Sequence, residues 1–330
     1  MLVKYKKITF FALALSIFTL AFAPVTSAAP VTVKPSDQLS YLALGDSLAA
    51  GQTPYRQIGQ GYADFLAKDI QDAGYLGSFD KHFAQSGATT TDVLTIVQKP
   101  EVLTQIAKSD IITVHAGAND LLRELTITQA GVSLDPAKVP GILTQIGTNL
   151  GMTLGTIKAI NPHAKVYVIG YYNAFPYLPT DQQQALLQVL SLINQTIQQA
   201  ANQTGTTYID ISTPFAENPY AYLPNPNDVH PNLAGYKAIS DILWKDLKPQ
   251  LPYLQVQKLL QRASALSITN TKDVASIISY LKQIELYYPL VTNPEQKAYL
   301  VEKIKAEQKR VSDALRKRLK DIGYTGSIGA

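Results

Sequence analysis

The 330-residue chain has no cysteine, and only 16% of its residues are charged. The absence of cysteine excludes disulfide bonds, a thiol nucleophile and thiolate metal ligands. The four histidines form no His-x-x-x-His pair, so a metal site is not expected. Apolar residues, in contrast, make up 46% of the chain, which is enough to build a core and excludes a disordered polar chain. Such a protein is held together by packing alone.

The first 28 residues have the layout of a secretory signal peptide. A start with three lysines precedes an apolar run over residues 8–23, and Thr26-Ser27-Ala28 offers the small residues of a cleavage site. The apolar run is shorter than the roughly 20 residues that a membrane-spanning helix needs. We therefore predict cleavage after Ala28 and secretion of the chain, with residues 29–38 as a short leader.

The balance of charge changes near residue 250. Residues 29–250 carry 13 Lys and Arg against 18 Asp and Glu, whereas residues 251–330 carry 13 against 7. A charge break of this kind is one sign of a domain boundary. We therefore predict a main domain over residues 39–250 and a basic extension over residues 251–330.

Five short β-rich runs alternate with helical patterns in the main domain. The predicted strands are Ser40–Leu44, Lys81–Ala84, Asp110–His115, Lys165–Ile169 and Thr207–Ile211. Strands that alternate with helices favour an α/β fold with a parallel sheet covered on both faces. In such sheets the functional site lies at the carboxyl ends of the strands.

The strands stop at about residue 251, and three amphipathic helices are predicted beyond it. The third begins with a strong signal, in which Asn293 is the cap, Pro294 occupies the first position and Gln296 reaches back. Gly323 is predicted to end this helix.

Four short blocks lie at the ends of predicted strands or helices of the main domain. Ser47 follows the first strand in Gly45-Asp46-Ser47, Gly87 follows the second in Ser86-Gly87-Ala88, and Asn119 follows the third in Gly117-Ala118-Asn119-Asp120. His230 precedes the last helix of the main domain. A serine hydroxyl becomes a good nucleophile when a base takes its proton, and His230 can supply that base.

These four blocks, in this order, resemble the SGNH (GDSL) hydrolase family. The resemblance covers roughly residues 39–250 and includes a full Gly-Asp-Ser-Leu match that starts at Gly45. It implies a flavodoxin-like three-layer α/β/α fold and an acyl-enzyme mechanism that needs no metal or cofactor. Ser47 is then the nucleophile and His230 the base. The oxyanion hole is formed by the backbone N–H groups of Ser47 and Gly87 and by the side-chain amide of Asn119.

One position departs from the family pattern, which usually has an aspartate three residues before the histidine. Asn227 occupies that place, and Asp228 lies two residues before His230. A carboxylate stabilises an imidazolium better than a neutral amide does, so Asp228 is favoured as the residue that orients His230. Asn227 and a backbone carbonyl remain alternatives.

Several neighbouring residues are given structural roles. His115 is expected to be buried and hydrogen-bonded, and Asp46 and Asp120 are expected to accept backbone N–H bonds that hold their loops. Tyr171 and Tyr172, which follow the fourth strand, either line an acyl or sugar site or pack in the core.

The sequence thus predicts a secreted serine esterase or lipase that acts on lipid or short-chain acyl esters. One alternative is a carbohydrate O-acetylesterase, and another is a wall- or surface-binding module with a vestigial hydrolase body. The extension is read as a helical brace or as a basic surface that binds anionic cell-wall polymers or lipids. No nucleic-acid partner is predicted.

Overall fold

The computed structural model describes residues 34–128 and 131–321, which form two compact units. The four sequence blocks described above lie in the unit over residues 39–248, called the sheet unit below. The described part of the other unit, called the helical unit, comprises residues 249–321 together with residues 34–38. The predicted signal peptide over residues 1–28 lies outside the described residues.

The sheet unit is built on a five-stranded parallel sheet. Its strands are β1 (Leu39–Gly45), β2 (Leu76–Asp80), β3 (Ile111–His115), β6 (Lys165–Ile169) and β7 (Thr207–Ile209), in the spatial order β2-β1-β3-β6-β7. Helices flank this sheet, so the predicted three-layer α/β/α fold is confirmed. Strand order reverses between β1 and β3, and a crevice for ligands opens at such a point.

The second strand lies earlier in the chain than predicted. The prediction over Lys81–Ala84 is wrong, because β2 spans Leu76–Asp80 and residues 81–84 form a turn closed by the Ala84 N–H to Lys81 C=O bond of 3.0 Å. β2 is an edge strand that pairs only with β1, and none of its residues is fully buried. A strand of this kind lacks the continuous apolar run by which inner strands are recognised.

Helices cover the sheet in two layers. One layer pairs α2 (Tyr62–Asp72) with α10 (Leu233–Leu247), and the other contains α3 (Thr90–Val97), α4 (Pro100–Lys108), α6 (Val139–Ile160) and α7 (Thr180–Thr204). Four short helices complete the unit: α1 (Ser47–Ala50), α5 (Ala118–Leu122), α8 (Ser212–Glu217) and α9 (Pro219–Tyr222). An antiparallel pair, β4 (Thr126–Thr128) and β5 (Gly131–Ser133), was not predicted.

The helical unit contains the three predicted helices, α11 (Leu251–Ala265), α12 (Thr271–Tyr287) and α13 (Pro294–Asp321). Asn293 caps α13 as predicted, because its side-chain oxygen accepts the Gln296 N–H at 3.0 Å. The Gln296 side chain does not reach back to the cap, however, and donates instead to Gln250 at 2.8 Å. Gly323, the predicted end of this helix, lies outside the described residues.

The short N-terminal segment of residues 34–38 is bound to the helical unit by polar contacts. The carboxylate of Asp37 is buried and lies 3.0 Å from the Arg262 guanidinium, and the Asp37 carbonyl accepts Gln255 Nε2 at 2.7 Å. The leader and the extension are 218 residues apart in the chain at this contact, so helical periodicity carries no information about it. Within the described parts of both units, no helix combines the length and apolar character needed to cross a membrane.

Candidate active site

Ser47, the predicted nucleophile, lies at the sharp turn between β1 and α1. Gly45 ends the strand with φ +136°, and a Cβ at this position would lie 2.1 Å from the His115 carbonyl oxygen, so only glycine fits. Asp46 then caps α1 by accepting the Leu48 N–H at 2.9 Å, as predicted for this residue. Ser47 is the first residue of the helix and lies at the carboxyl edge of the sheet.

A chain of short hydrogen bonds links Ser47, His230 and Asp228. Ser47 Oγ lies 2.7 Å from His230 Nε2, and His230 Nδ1 lies 2.6 Å from Asp228 Oδ1. A carboxylate can only accept, so the ring proton of the neutral imidazole is on Nδ1 and Nε2 is left to accept the serine hydroxyl. This is the arrangement in which a serine, a base and an orienting acid cooperate.

The structure brings Asp228 to the histidine and leaves Asn227 at the surface. Asp228 Oδ1 also accepts the backbone N–H of His230 at 2.9 Å, which closes a tight turn around the ring. Asn227 is exposed, and its backbone N–H donates to Asn225 Oδ1 at 3.0 Å. The local turn thus brings the Asp228 carboxylate to the His230 ring although Asp228 lies one residue away from the position usual in the family.

Two aromatic contacts hold the histidine loop. The Tyr172 hydroxyl donates to the Val229 carbonyl at 2.8 Å, and its ring stacks on Phe215 with centroids 3.9 Å apart. Because Tyr172 is buried and also lines the cavity described below, both of its predicted roles are combined in one side chain.

Gln52 is a site residue that sequence reasoning missed. Its side-chain amide nitrogen lies 3.3 Å from His230 Nδ1, and its backbone carbonyl accepts a hydrogen bond from the Tyr236 hydroxyl at 2.6 Å. It follows the nucleophile by five residues in an irregular loop, and it belongs to none of the four blocks by which the site is recognised.

The two remaining predicted oxyanion donors lie on neighbouring segments. Gly87 belongs to a turn over Gln85–Ala88, whose first N–H donates to the Gly45 carbonyl at 2.9 Å. Asn119 is on α5, and its side-chain amide donates to the Ala88 carbonyl at 2.9 Å, which leaves its second N–H available. Ser47, Gly87, Asn119 and His230 all line one cavity.

This cavity has a volume of about 250 Å³, and most of its wall is apolar. One face of α7 lines this cavity with side chains spaced as neighbours on a helix: Leu186, Val189, Leu190 and Ile193. Leu187 and Leu192 lie on the opposite side of the helix, and each is 43% exposed. Further apolar side chains of the wall are Leu48, Leu121, Leu122, Leu125, Leu134 and Phe175.

The profile of the GDSL-like lipase/acylhydrolase family matches residues 43–238, a span that includes all four blocks. The chain belongs to this family. As a member, it is a carboxylic-ester hydrolase of the GDSL type.

Two relatives illustrate the family likeness. The spore germination lipase LipC of Bacillus licheniformis is 27% identical over 218 residues, which cover 62% of this chain and 94% of the relative. The crystal structure of the lipase Lip_vut3 from a goat rumen metagenome is 25% identical with a TM-score of 0.54, and the match covers 63% of this chain and 97% of that one.

Two buried ionisable groups lie close to Ser47 in this GDSL hydrolase. Burial raises the pKa of Asp46 to about 6, although the Tyr171 hydroxyl donates to its carboxylate at 2.6 Å and opposes part of the shift. Burial likewise lowers the pKa of His115 to about 3, so that its ring is neutral near pH 7.

His115 is buried as expected, but only one of its two ring nitrogens is hydrogen-bonded. Its Nε2 lies 3.0 Å from the Gly170 carbonyl, but Nδ1 is buried without a hydrogen-bond partner among the described residues. Asp120 behaves as predicted, since it accepts the Thr90 N–H at 2.9 Å. In the described residues of the hydrolase, no group of three or more His, Asp or Glu side chains is arranged to hold a metal ion.

Proposed function

We propose that the chain hydrolyses esters of apolar acyl chains through an acyl-enzyme on Ser47. The observation that carries this proposal is the hydrogen-bonded chain from Asp228 through His230 to Ser47, which faces a mostly apolar cavity. The chemistry requires a nucleophile, a base and a site that holds the substrate, and residues that line this cavity provide them.

In the first step Ser47 Oγ attacks the ester carbonyl carbon while His230 Nε2 takes the hydroxyl proton. The 2.7 Å contact between these two atoms is within the range for proton transfer. The imidazolium that forms keeps its Nδ1–H directed at Asp228, whose negative charge stabilises it. The tetrahedral oxyanion accepts hydrogen bonds from the backbone N–H groups of Ser47 and Gly87 and from the side-chain amide of Asn119.

The intermediate then collapses with cleavage of the ester C–O bond, and His230 gives its proton to the departing alcohol. A water molecule attacks the acyl-enzyme in the second half of the cycle, with His230 again as the base. The carboxylic acid leaves, and Ser47 regains its proton.

The apolar stripe on α7 is the reason for proposing a fatty acyl substrate. Ile193 lies at the catalytic end, because its Cδ1 is 3.4 Å from the position of a Cβ at Gly117, the first residue of the block that carries Asn119. Leu186 is seven residues earlier, which corresponds to about 10 Å along the helix. An acetyl group would leave most of this apolar surface uncovered, whereas a chain of about eight carbons would cover it.

A panel of p-nitrophenyl esters from acetyl to dodecanoyl tests the substrate. We expect kcat/KM to rise with chain length to a maximum near octanoyl, because each methylene buried contributes about 0.8 kcal/mol. A maximum at acetyl, together with acetate release from acetylated xylan, would favour the O-acetylesterase alternative instead.

Ser47→Ala in the same assay tests the nucleophile. We expect turnover to fall by about 10⁴-fold or more, and labelling by a fluorophosphonate probe to disappear. If the wild-type protein were neither labelled nor active on any ester, the vestigial binding module would be the better description.

We also propose that the mature chain is secreted and begins at Ala29. The support is the basic start, apolar run and small-residue site of residues 1–28. N-terminal sequencing of protein recovered from the medium of a bacterial host is expected to read Ala-Pro-Val. Retention of the intact N-terminus in the cell fraction would contradict secretion.

We further propose that the helical unit holds the enzyme near anionic surfaces. Residues 251–330 carry 13 Lys and Arg against 7 Asp and Glu, and Lys309, Arg316 and Lys320 are exposed on one side of α13. The full chain is expected to bind phosphatidylglycerol vesicles at 50 mM NaCl and to be released at 500 mM. Replacing these three residues by glutamate should abolish binding, and salt-insensitive binding would refute an electrostatic mechanism.

A further inference from the structure

The turn over Gln85–Ala88 sets the direction of one oxyanion donor. It is closed by the Ala88 N–H to Gln85 carbonyl bond of 3.1 Å, and Gly87 at its third position has φ +77°, the geometry of a type II turn. Type I and type II turns differ mainly in the direction of their central peptide, and that peptide carries the Gly87 N–H. A change of turn type would therefore rotate this donor away from the cavity.

Arg123 contacts this turn from the end of α5. Its Nη2 donates to the Gly87 carbonyl at 2.7 Å and lies 3.4 Å from the Asp92 carboxylate. Asp92 is itself fixed, because it accepts the N–H and the hydroxyl of Thr89 at 2.9 and 2.8 Å as part of a capping box on α3. The guanidinium thus joins the Gly87 peptide to the start of a helix.

We propose that Arg123 is a positioning residue that keeps the Gly87 N–H directed at the oxyanion. The ends of the turn are tied elsewhere, with Gln85 bound to the Gly45 carbonyl and Ala88 bound to Asn119. Arg123 restrains the Gly87 carbonyl itself, on the peptide next to the donor. Since α5 also carries Asn119, this contact fixes the two donors relative to each other.

The exposure of Arg123 separates this role from a role in stability. Its side chain is 60% exposed, and ion pairs at such positions contribute little to folding. A displaced oxyanion donor, in contrast, weakens stabilisation of the transition state and leaves ground-state binding of the ester nearly unchanged. The expected signature is a loss in kcat with little change in KM or in melting temperature.

Steady-state kinetics on p-nitrophenyl octanoate test this inference, which rests on the proposed function. Arg123→Ala is expected to lower kcat about tenfold, with KM changed less than about twofold. Arg123→Lys keeps a donor for the Gly87 carbonyl and should stay within about threefold of wild type. Lys68→Ala, which removes an equally exposed ion pair with Asp72 on α2, is the control and should leave kcat unchanged.

A double-mutant cycle with Gly87→Ala tells whether Arg123 acts through the turn. An added Cβ at Gly87 meets no protein atom within 4 Å, so Gly87→Ala disfavours the φ of the type II turn without a clash. We expect Arg123→Ala to cost less than about twofold in that background.

Additive losses, an unchanged kcat in Arg123→Ala, or a rise in KM alone would each overturn the positioning role. Those results leave the proposed function intact, because wild type still turns over and Ser47→Ala does not. A wild-type enzyme without turnover would overturn both.

Discussion

The two units of the chain use buried polar residues for different purposes. In the sheet unit Asp46, Ser47, His115 and His230 are buried together at the carboxyl edge of the sheet, where they form or support a reactive site. In the helical unit buried polar residues join chain segments. Glu307, for example, is paired with Arg310, and that arginine also donates to the Ala263 and Leu266 carbonyls at the end of α11 at 2.7 and 3.0 Å.

The contrast shows what burial of a charge indicates. A buried ion pair that also donates hydrogen bonds to the carbonyls at a helix end has a structural role, because its polar groups are hydrogen-bonded within the fold. Ser47 and His230 are buried as well, but both line the cavity, so their reactive atoms are available to a substrate. The following predictions test whether substitutions in the sheet unit and in the helical unit have different effects on kcat and on stability.

Loss of the Asp228 carboxylate is expected to have the largest effect. Asp228→Ala removes the acceptor at 2.6 Å from His230 Nδ1, so kcat should fall by about 10³ to 10⁴. Asn227→Ala is the matched control and should remain within twofold of wild type, because Asn227 is exposed. The measurement is kcat for ester hydrolysis by both variants. A larger loss of kcat in Asn227→Ala would mean that Asn227, and not Asp228, orients His230.

Asp46 is expected to make the stability of the sheet unit depend on pH. Its pKa is about 6 in the folded protein and 3.8 for an unperturbed carboxyl, so the native state binds more protons between these values. Stability from this group is therefore greatest below pH 3.8 and is lost as pH rises to 6. Asp46→Asn lacks this dependence, so its free energy of unfolding should gain about 2 kcal/mol relative to wild type between pH 4 and pH 7.

Urea unfolding followed by Trp244 fluorescence measures this difference, because the only tryptophan of the chain lies on α10 in the sheet unit. Asp72→Asn, on an exposed residue of α2, controls for the loss of one carboxyl. A pH-independent difference between wild type and Asp46→Asn would show that the buried carboxyl does not titrate in this range.

Arg310→Ala is expected to weaken the helical unit without affecting catalysis. It leaves the Glu307 carboxylate buried without its partner, which should cost about 2 kcal/mol since Arg310 itself is partly exposed. Hydrogen exchange of amides in α11–α13 should accelerate about 30-fold, while kcat stays within twofold. Arg316→Ala, which removes an exposed pair with Asp313, should change neither. A loss of kcat in Arg310→Ala would contradict the prediction that weakening the helical unit leaves catalysis unaffected.

The smallest predicted effect concerns the two faces of α7. Leu186→Trp fills the cavity and should lower kcat/KM for the octanoyl ester about tenfold while leaving the acetyl ester within twofold. Leu187→Trp is the matched control, because the neighbouring side chain points outward. Equal losses for both esters in Leu186→Trp would mean that this end of the cavity does not hold the acyl chain.

Much of the fold and the four site blocks could be predicted, because inner strands and helices leave local periodicity in the sequence. β2 was misplaced because an edge strand lacks the buried run of the inner strands. Gln52 was missed because its contact with His230 joins residues 178 positions apart, and no local pattern encodes such a distance. The apolar residues of α7 were visible, but their division into cavity-lining and outward faces required the position of the helix on the sheet.

The sequence by itself determined which residues could react, since Ser47, Asn119 and His230 follow or precede elements with clear local signatures and Gly87 belongs to one of the four blocks. The tertiary structure decided which acid faces His230, because a turn of three residues places Asp228 at the ring and Asn227 in solvent. It also decided that residues 34–38 join the helices of residues 249–321 and that Arg123 reaches the Gly87 turn. The physical reason for the last two contacts is the same: short-range patterns follow from backbone geometry, whereas a contact between separated segments depends on how whole elements pack.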